Sequence, residues 1–236
     1  MPLALITGGS AGLGLALATA LAERDWHLII DARGAPELRT AATALGSKTI
    51  ALTGDVADPT HRRELAETAA GFGALDLLVN NASTLGPSPL PTLASYPLAD
   101  LEDVHRVNVV APLALIQLTL PLIVAASGSI VNISSDAAVE AYPGWGGYGS
   151  SKSALDRLTA VLAAELGPLH PDLRVYGFDP GDLRTAMHQR AFPGEDISDR
   201  PEPATVVPAL LRLIEERPPN GRYRDADLLL GSDRVS

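Results

Sequence analysis

Along the chain, short apolar runs alternate with longer Ala/Leu-rich stretches of helical period. The apolar runs are Leu3–Thr7, His27–Asp31, Thr49–Thr53, Leu75–Asn80, Ser129–Ser134 and Arg174–Asp179. Between and after them the pattern predicts helices near Leu13–Arg24, Pro36–Leu45, Pro59–Gly71, Val104–Ala126, Gly149–Gly167 and Ala204–Arg217. A closing edge strand is expected at Arg222–Leu230. Runs that are apolar on both faces and separated by helices predict a parallel sheet covered on both sides.

Right-handed crossovers turn that sheet into an α/β, doubly wound, Rossmann-like fold. No internal repeat or linker divides the 236 residues, so one domain over 1–236 is expected. Two segments read as loops: Ser83–Pro97, with four of the 19 prolines, and Asp182–Pro203, which mixes charge, Gly and Pro. Both follow strand ends on the sheet edge where ligands bind. They are the expected walls of a substrate pocket, with 182–203 as a substrate loop.

Composition narrows the picture. At 46% hydrophobic but only 4% aromatic, the core must be built from Ala, Leu, Val and Ile. A net charge of −10 opposes binding to nucleic acid or anionic membranes. The absence of cysteine removes disulfides and thiolate chemistry. Five histidines form no HxxxH or HxH pair, so no metal site is expected. No basic, cleavable leader precedes Leu3, and charge, Pro or Gly interrupts each apolar run, which leads to the expectation of a cytoplasmic protein without a membrane span. With 16 Arg and only two Lys, Lys48 and Lys152, each lysine invites a question.

The first apolar run ends in Thr7-Gly8-Gly9-Ser10-Ala11-Gly12-Leu13-Gly14 and leads into a helix. Such glycines let backbone N–H groups approach a pyrophosphate, and the helix N-terminus adds partial positive charge. Asp55-Val56 and Asn80-Asn81-Ala82 follow the third and fourth runs, at the ends of successive strands. Taken singly, the Asp is equally a helix cap and the Asn pair turn chemistry. The second run ends Ile30-Asp31-Ala32-Arg33-Gly34. An acid there would bind ribose hydroxyls and favour NAD, whereas a guanidinium would grip the 2′-phosphate of NADP. Asp31 and Arg33 leave both open.

Tyr148-Gly149-Ser150-Ser151-Lys152 places a phenol and an ammonium one helical turn apart. A nearby ammonium is expected to lower the phenol's pKa and fit it for proton exchange with a carbonyl or alcohol. Ser135 could hydrogen-bond the developing alkoxide, with Ser134 as its competitor. Asn108 sits inside the long apolar helix, where it needs a partner or must bond to nearby backbone.

With these residues in order, the chain resembles the short-chain dehydrogenase/reductase family over nearly its whole length. The matching elements are TGGSAGLG at 7–14, NNAS at 80–83, Asn108, Ser135, Tyr148, Lys152, and Pro180-Gly181 followed by Thr185. The resemblance implies a seven-stranded parallel sheet and a homodimer or homotetramer built through two long helices. It implies Tyr148 as acid/base, Lys152 holding the nicotinamide ribose, Ser135 positioning the substrate oxygen and Asn108 ordering a water. The implied cofactor contacts are Gly8, Ser10, Gly12, Leu13, Gly14, Arg33, Asp55, Val56, Asn81, Ala82, Tyr148, Lys152, Pro180, Gly181 and Thr185. Arg33 falls where NADP-using members carry a basic residue, which favours NADP. Ala11 departs from the basic residue many of them place there, and Ser83 replaces a usual Gly.

The expected reaction is NADPH-dependent reduction of a ketone or aldehyde. An NAD-dependent alcohol dehydrogenase and a non-catalytic dinucleotide sensor are the alternatives. Leu85, Tyr142, Trp145, Phe178 and Met187 are expected to shape an apolar or aromatic substrate pocket. His188, Arg190, Glu195, Asp196 and Arg200 either bind polar substrate groups or form a solvated lid.

Overall fold

The computed structural model describes residues 1–229. Among them seven parallel strands form one sheet in the order β3-β2-β1-β4-β5-β6-β7. The strands are β1 (Leu3–Ile6), β2 (His27–Ala32), β3 (Thr49–Thr53), β4 (Leu77–Asn80), β5 (Ser129–Ile133), β6 (Arg174–Asp179) and β7 (Gly221–Arg224). The helices are α1 (Gly12–Ala22), α2 (Ala35–Leu45), α3 (Pro59–Ala70), α4 (Leu98–His105), α5 (Ala111–Ala126), α6 (Gly146–Leu166), α7 (Ala186–Ala191), α8 (Val207–Glu216) and α9 (Asp225–Leu229). The expected doubly wound parallel fold is the one observed.

Alternation along each buried strand feeds two core layers. Ala4, Ile6, Ile30, Val79, Val131 and Phe178 pack beneath α1, α2 and α8. Leu3, Leu5, Ile29, Leu78, Ile130 and Val175 pack beneath α3, α5 and α6. The strand order reverses between β1 and β4, and a cleft opens beyond their carboxyl ends.

Three expectations are corrected. The closing strand is only four residues, Gly221–Arg224, and the chain then turns into α9. The Asp227 carboxylate accepts from the Arg224 N–H at 3.1 Å, the local acceptor that ends the strand and starts a helix. Leu230, the expected last strand residue, lies outside the described residues. The expected helix from Val104 begins earlier, and a π-helical turn at Arg106–Val110 joins α4 to α5. That continuous Leu98–Ala126 helix, with a mean hydropathy of 2.2, is long and apolar enough to cross a bilayer by length and composition, against the expectation that no run is. Charge is absent from Val107 onward, and the helix runs on through both Pro112 and Pro121, so these prolines do not interrupt it as their position suggested. Here the helix lays Leu115, Ile116 and Ile123 on the second core layer.

Candidate active site

The cleft is a cavity of about 660 Å³ lined by the ends of β1, β2, β4, β5 and β6 and by the segments after them. At its floor the glycine loop is held by a small clasp. Thr7 Oγ1 accepts from the N–H groups of Asn81 and Ala82, each at 3.0 Å. Asn81 Nδ2 donates back to the Thr7 carbonyl at 2.8 Å and to Gly8 O at 3.2 Å. Gly8 and Gly12 take positive φ, +67° and +55°. A Cβ on Gly14 would lie 2.4 Å from the Gly8 carbonyl oxygen, so this glycine packs behind the loop, while Gly8, Ser10, Gly12 and Leu13 line the cavity. Helix α1 starts there with no side-chain cap and no acid in its first turn. Its N–H groups therefore fit the anionic centre of a dinucleotide.

Asp31 and Arg33 part company at the end of β2. Asp31 is 1% exposed, and both its oxygens are engaged. One accepts from Gly8 N–H at 2.8 Å and the other pairs with His61 Nε2 at 3.0 Å. It lines the cavity floor and anchors the loop from below, with each oxygen already held by one partner. Arg33 is exposed on the cavity rim beside Ala32, Asp55 and Val56. Asp55 also accepts from Ala57 N–H at 2.8 Å, the turn role that its sequence position allowed. Pro180, Gly181 and Thr185 line the opposite wall. Thr185 Oγ1 caps α7 by accepting from His188 N–H at 3.1 Å.

Helix α6 begins at Gly146, three residues earlier than its period suggested, so Tyr148 and Lys152 both lie on it. Both are buried. Lys152 Nζ donates to the Ile133 carbonyl at 2.6 Å and lies 5.5 Å from the centre of the Tyr148 ring. Burial lowers the Lys152 ammonium to about 8, and the charge of Asp156 opposes that fall. Burial pushes the Tyr148 hydroxyl well above its ordinary value. The neighbouring Ser135 and Ser83 hydroxyls act against the rise, while the charges of Asp179 and Asp136 add to it. The expected lowering of the phenol is thus reversed in the protein alone, because desolvation outweighs every neighbour.

Ser135, not Ser134, is the serine that reaches Tyr148. The one Ser135 hydroxyl proton goes to Asp136 Oδ1 at 3.0 Å, whereas Ser134 is buried with its hydroxyl unpaired. Asn108 has no free side-chain valence. Its amide donates to Thr84 O and Ser151 Oγ, both at 2.9 Å, and its oxygen accepts from Thr84 N–H at 2.8 Å and Ser83 Oγ at 3.1 Å. Ser83 and Thr84 fall in the segment expected to wall the pocket and Ser151 within the Tyr148–Lys152 turn, but nothing in the sequence showed that all three hold Asn108.

The outer part of the cavity is aromatic. Trp145 lies 5.8 Å from Tyr148 and 6.1 Å from Phe192, measured between ring centres, and Phe192 lies 5.1 Å from His188. Leu85, Tyr142 and Met187 complete this wall. Phe178, expected here, is wholly buried in the core because its β6 position faces α8. Phe192 takes the place expected for it. Among the loop charges, only His188 and Asp182 line the cavity. Arg190 donates to Gly86 O at 3.2 Å, and Arg200 pairs with Asp199 at 2.6 Å.

Comparison with known proteins agrees with this geometry. The family model described as short chain dehydrogenase matches residues 2–196. An uncharacterized oxidoreductase of Mycobacterium tuberculosis is 34% identical over 210 residues, covering 86% of this chain and 78% of its own. A short chain dehydrogenase from Shigella flexneri, solved in complex with NADP, superposes with a TM-score of 0.87 at 29% identity over 95% of this chain and 97% of its own. Another from Escherichia coli, solved with NADPH, gives a TM-score of 0.86 at 30% identity over 95% and 96% of the two chains.

Proposed function

The chain belongs to the short-chain dehydrogenase family, and on that premise we propose that it reduces a ketone or aldehyde to an alcohol with NADPH, Tyr148 acting as the acid–base. The observation that carries this reading is the convergence of buried Tyr148 and Lys152 with half-buried Ser135 on the cavity beyond β5. NADPH, when bound, supplies the hydride. Gly8, Ser10, Gly12 and Leu13, with the uncapped start of α1, would hold the pyrophosphate. Asp55 and Val56 border the end where Arg33 would grip the 2′-phosphate. Asn81, Ala82, Pro180, Gly181 and Thr185 flank the nicotinamide half, and Lys152 would hold the ribose. NADP complexes of related structures support the choice of phosphate-bearing cofactor. Asp31, the group on which an NAD reading would rest, is occupied by Gly8 and His61.

The protonation state of Tyr148 suits reduction. Burial raises the Tyr148 hydroxyl further above neutral pH, and the protonated phenol is the form that reduction consumes. Tyr148 then gives its proton to the carbonyl oxygen while Ser135 Oγ donates a hydrogen bond to the same atom. Because the Asn108 side chain is saturated, any water it orders for reprotonation is held through its main chain. The aromatic wall of Trp145 and Phe192 selects an apolar or aromatic carbonyl compound. Val110, Leu118 and Val161 expose apolar surface on the long helices, at 53%, 41% and 42%, which supports assembly into a dimer or tetramer through them.

The test is steady-state oxidation of NADPH and NADH with a panel of aromatic aldehydes, ketones and diketones. Tyr148→Phe should lose turnover by at least about a hundredfold. Arg33→Ala should raise KM for NADPH and leave that for NADH in place. Tight NADPH binding without turnover on any carbonyl or alcohol would sink the enzyme reading in favour of a dinucleotide sensor.

A further inference from the structure

Arg222 belongs to the edge strand β7, opposite Gly177 of β6, and its side chain runs back across the sheet. A single guanidinium makes three contacts there. Nε donates to Asp156 Oδ2 at 2.9 Å, and Nη2 donates to Asp179 Oδ2 at 2.8 Å and to the Ser135 carbonyl at 2.9 Å. The passage is open because position 177 is glycine. A Cβ there would sit 3.3 Å from Asp156 Oδ1 and 3.8 Å from Arg222 Cγ. Each contact leads to a different part of the site. Ser135 is the serine beside Tyr148. Asp179 is 2% exposed, and its other oxygen accepts from Gly181 N–H at 3.1 Å, fixing the turn at the nicotinamide wall. Asp156 lies one turn beyond Lys152 on α6.

We propose that Arg222 is a positioning residue, one cation that ties the Ser135 backbone, the Asp179–Gly181 turn and the Lys152 face of α6 into a fixed arrangement. The inference rests on the carbonyl-reductase reading above for the groups it positions. Arginine suits the task because its planar fork reaches several acceptors at once and stays charged at every working pH. The charge matters as well as the geometry. The groups facing Tyr148 are Asp179 from β6, Asp136 after β5, Lys152 on its own helix, and the Ser135 and Ser83 hydroxyls. Among the described residues only Arg222 pairs with Asp179. Without it, an uncompensated buried carboxylate stands near the phenol.

The experiment compares wild type, Arg222→Met and Arg222→Lys by kcat, KM and pH profile in alcohol oxidation and carbonyl reduction. NADPH affinity by fluorescence and circular dichroism accompany them. Arg222→Met is expected to stay folded and to lose between about 10- and 100-fold in kcat, as sub-ångström misplacement does, with substrate KM little changed. The rising, acid-side limb of its oxidation profile, which reports deprotonation of Tyr148, should move to higher pH, since the Asp179 charge now acts alone on Tyr148. NADPH affinity should fall as the Gly181 turn loosens. Arg222→Lys keeps the charge, so its pH limb should return to the wild-type position and part of kcat with it. Wild-type kcat, pH limb and NADPH affinity in Arg222→Met would overturn the proposal. If the wild type itself turns over nothing, the reductase reading fails, and NADPH affinity alone decides for or against Arg222. If Arg222→Met does not fold, Arg222→Lys decides: a lost kcat with an unmoved pH limb supports positioning, and full wild-type kinetics refutes it.

Discussion

At the scale of single residues, the glycine loop shows how little freedom the site has. Gly14→Ala would put a Cβ within 2.4 Å of the Gly8 carbonyl and 2.6 Å of Asn81 Nδ2. Neither neighbour can retreat without opening the Thr7–Asn81 clasp. Calorimetry should show a destabilisation of about 1–3 kcal/mol, with weaker NADPH binding in fluorescence titration. The buried His61–Asp31 pair makes a second expectation. The hydrogen bond that Asp31 accepts from His61 raises the His61 pKa against the opposing effect of burial. A raised folded-state value means that the pair's contribution is full below the unfolded pKa of about 6.5 and is lost as pH rises through the folded one. Urea unfolding of wild type and His61→Gln should therefore differ more at pH 6 than at pH 8.5. An equal difference at both would show that His61 contributes through packing alone. Sequence reading grouped the loop, Tyr148, Lys152 and Ser135, which line one cavity in the structure, because residue type and spacing carry that grouping. It could not see that Asp31 is consumed by His61, since that partner lies thirty positions away in the chain.

At the scale of elements, the six core strands were legible from their apolar runs, and the boundaries shifted by a residue or two. The errors came where local hydrogen bonding overrode period. Asp227 ended β7 early, and α6 began within a run of glycines that periodicity does not mark. Phe178 was misassigned to the pocket because period-2 alternation fixes a face only relative to its neighbours, not which face meets the cleft. The same local chemistry can be tested at α3, where Asp58 caps the helix by accepting from Thr60 N–H at 2.8 Å. Asp58→Ala should lower stability by about 1 kcal/mol in a denaturant melt, with no change in turnover.

At the scale of the whole molecule, the two long helices carry apolar positions that neither core layer covers. If they seat a second copy, Leu118→Glu with Val161→Glu should convert a dimer or tetramer to monomer in sedimentation, and stability should become concentration-dependent in the wild type. A monomeric wild type at micromolar concentration would contradict that assembly. This surface was predicted by resemblance, not by pattern. An apolar helix reads alike whether a sheet, a partner or a bilayer covers it, which is also why the span expectation failed for Leu98–Ala126.

The wide turn at Arg106–Val110 has a consequence for how this gene tolerates insertions and deletions. A π turn holds one residue more than the α-helix it interrupts. Removing one residue within this turn would let the helix close into regular α form and leave Leu115, Ile116 and Ile123 facing the sheet, whereas the same deletion in the middle of α5 would turn every later position by about 100°. The loss would be felt at Asn108, whose contacts to Thr84 and Ser151 sit within the wide turn. A deletion scan should therefore find a point of tolerance for folding inside a helix, where such scans usually find sharp losses, with turnover falling there instead.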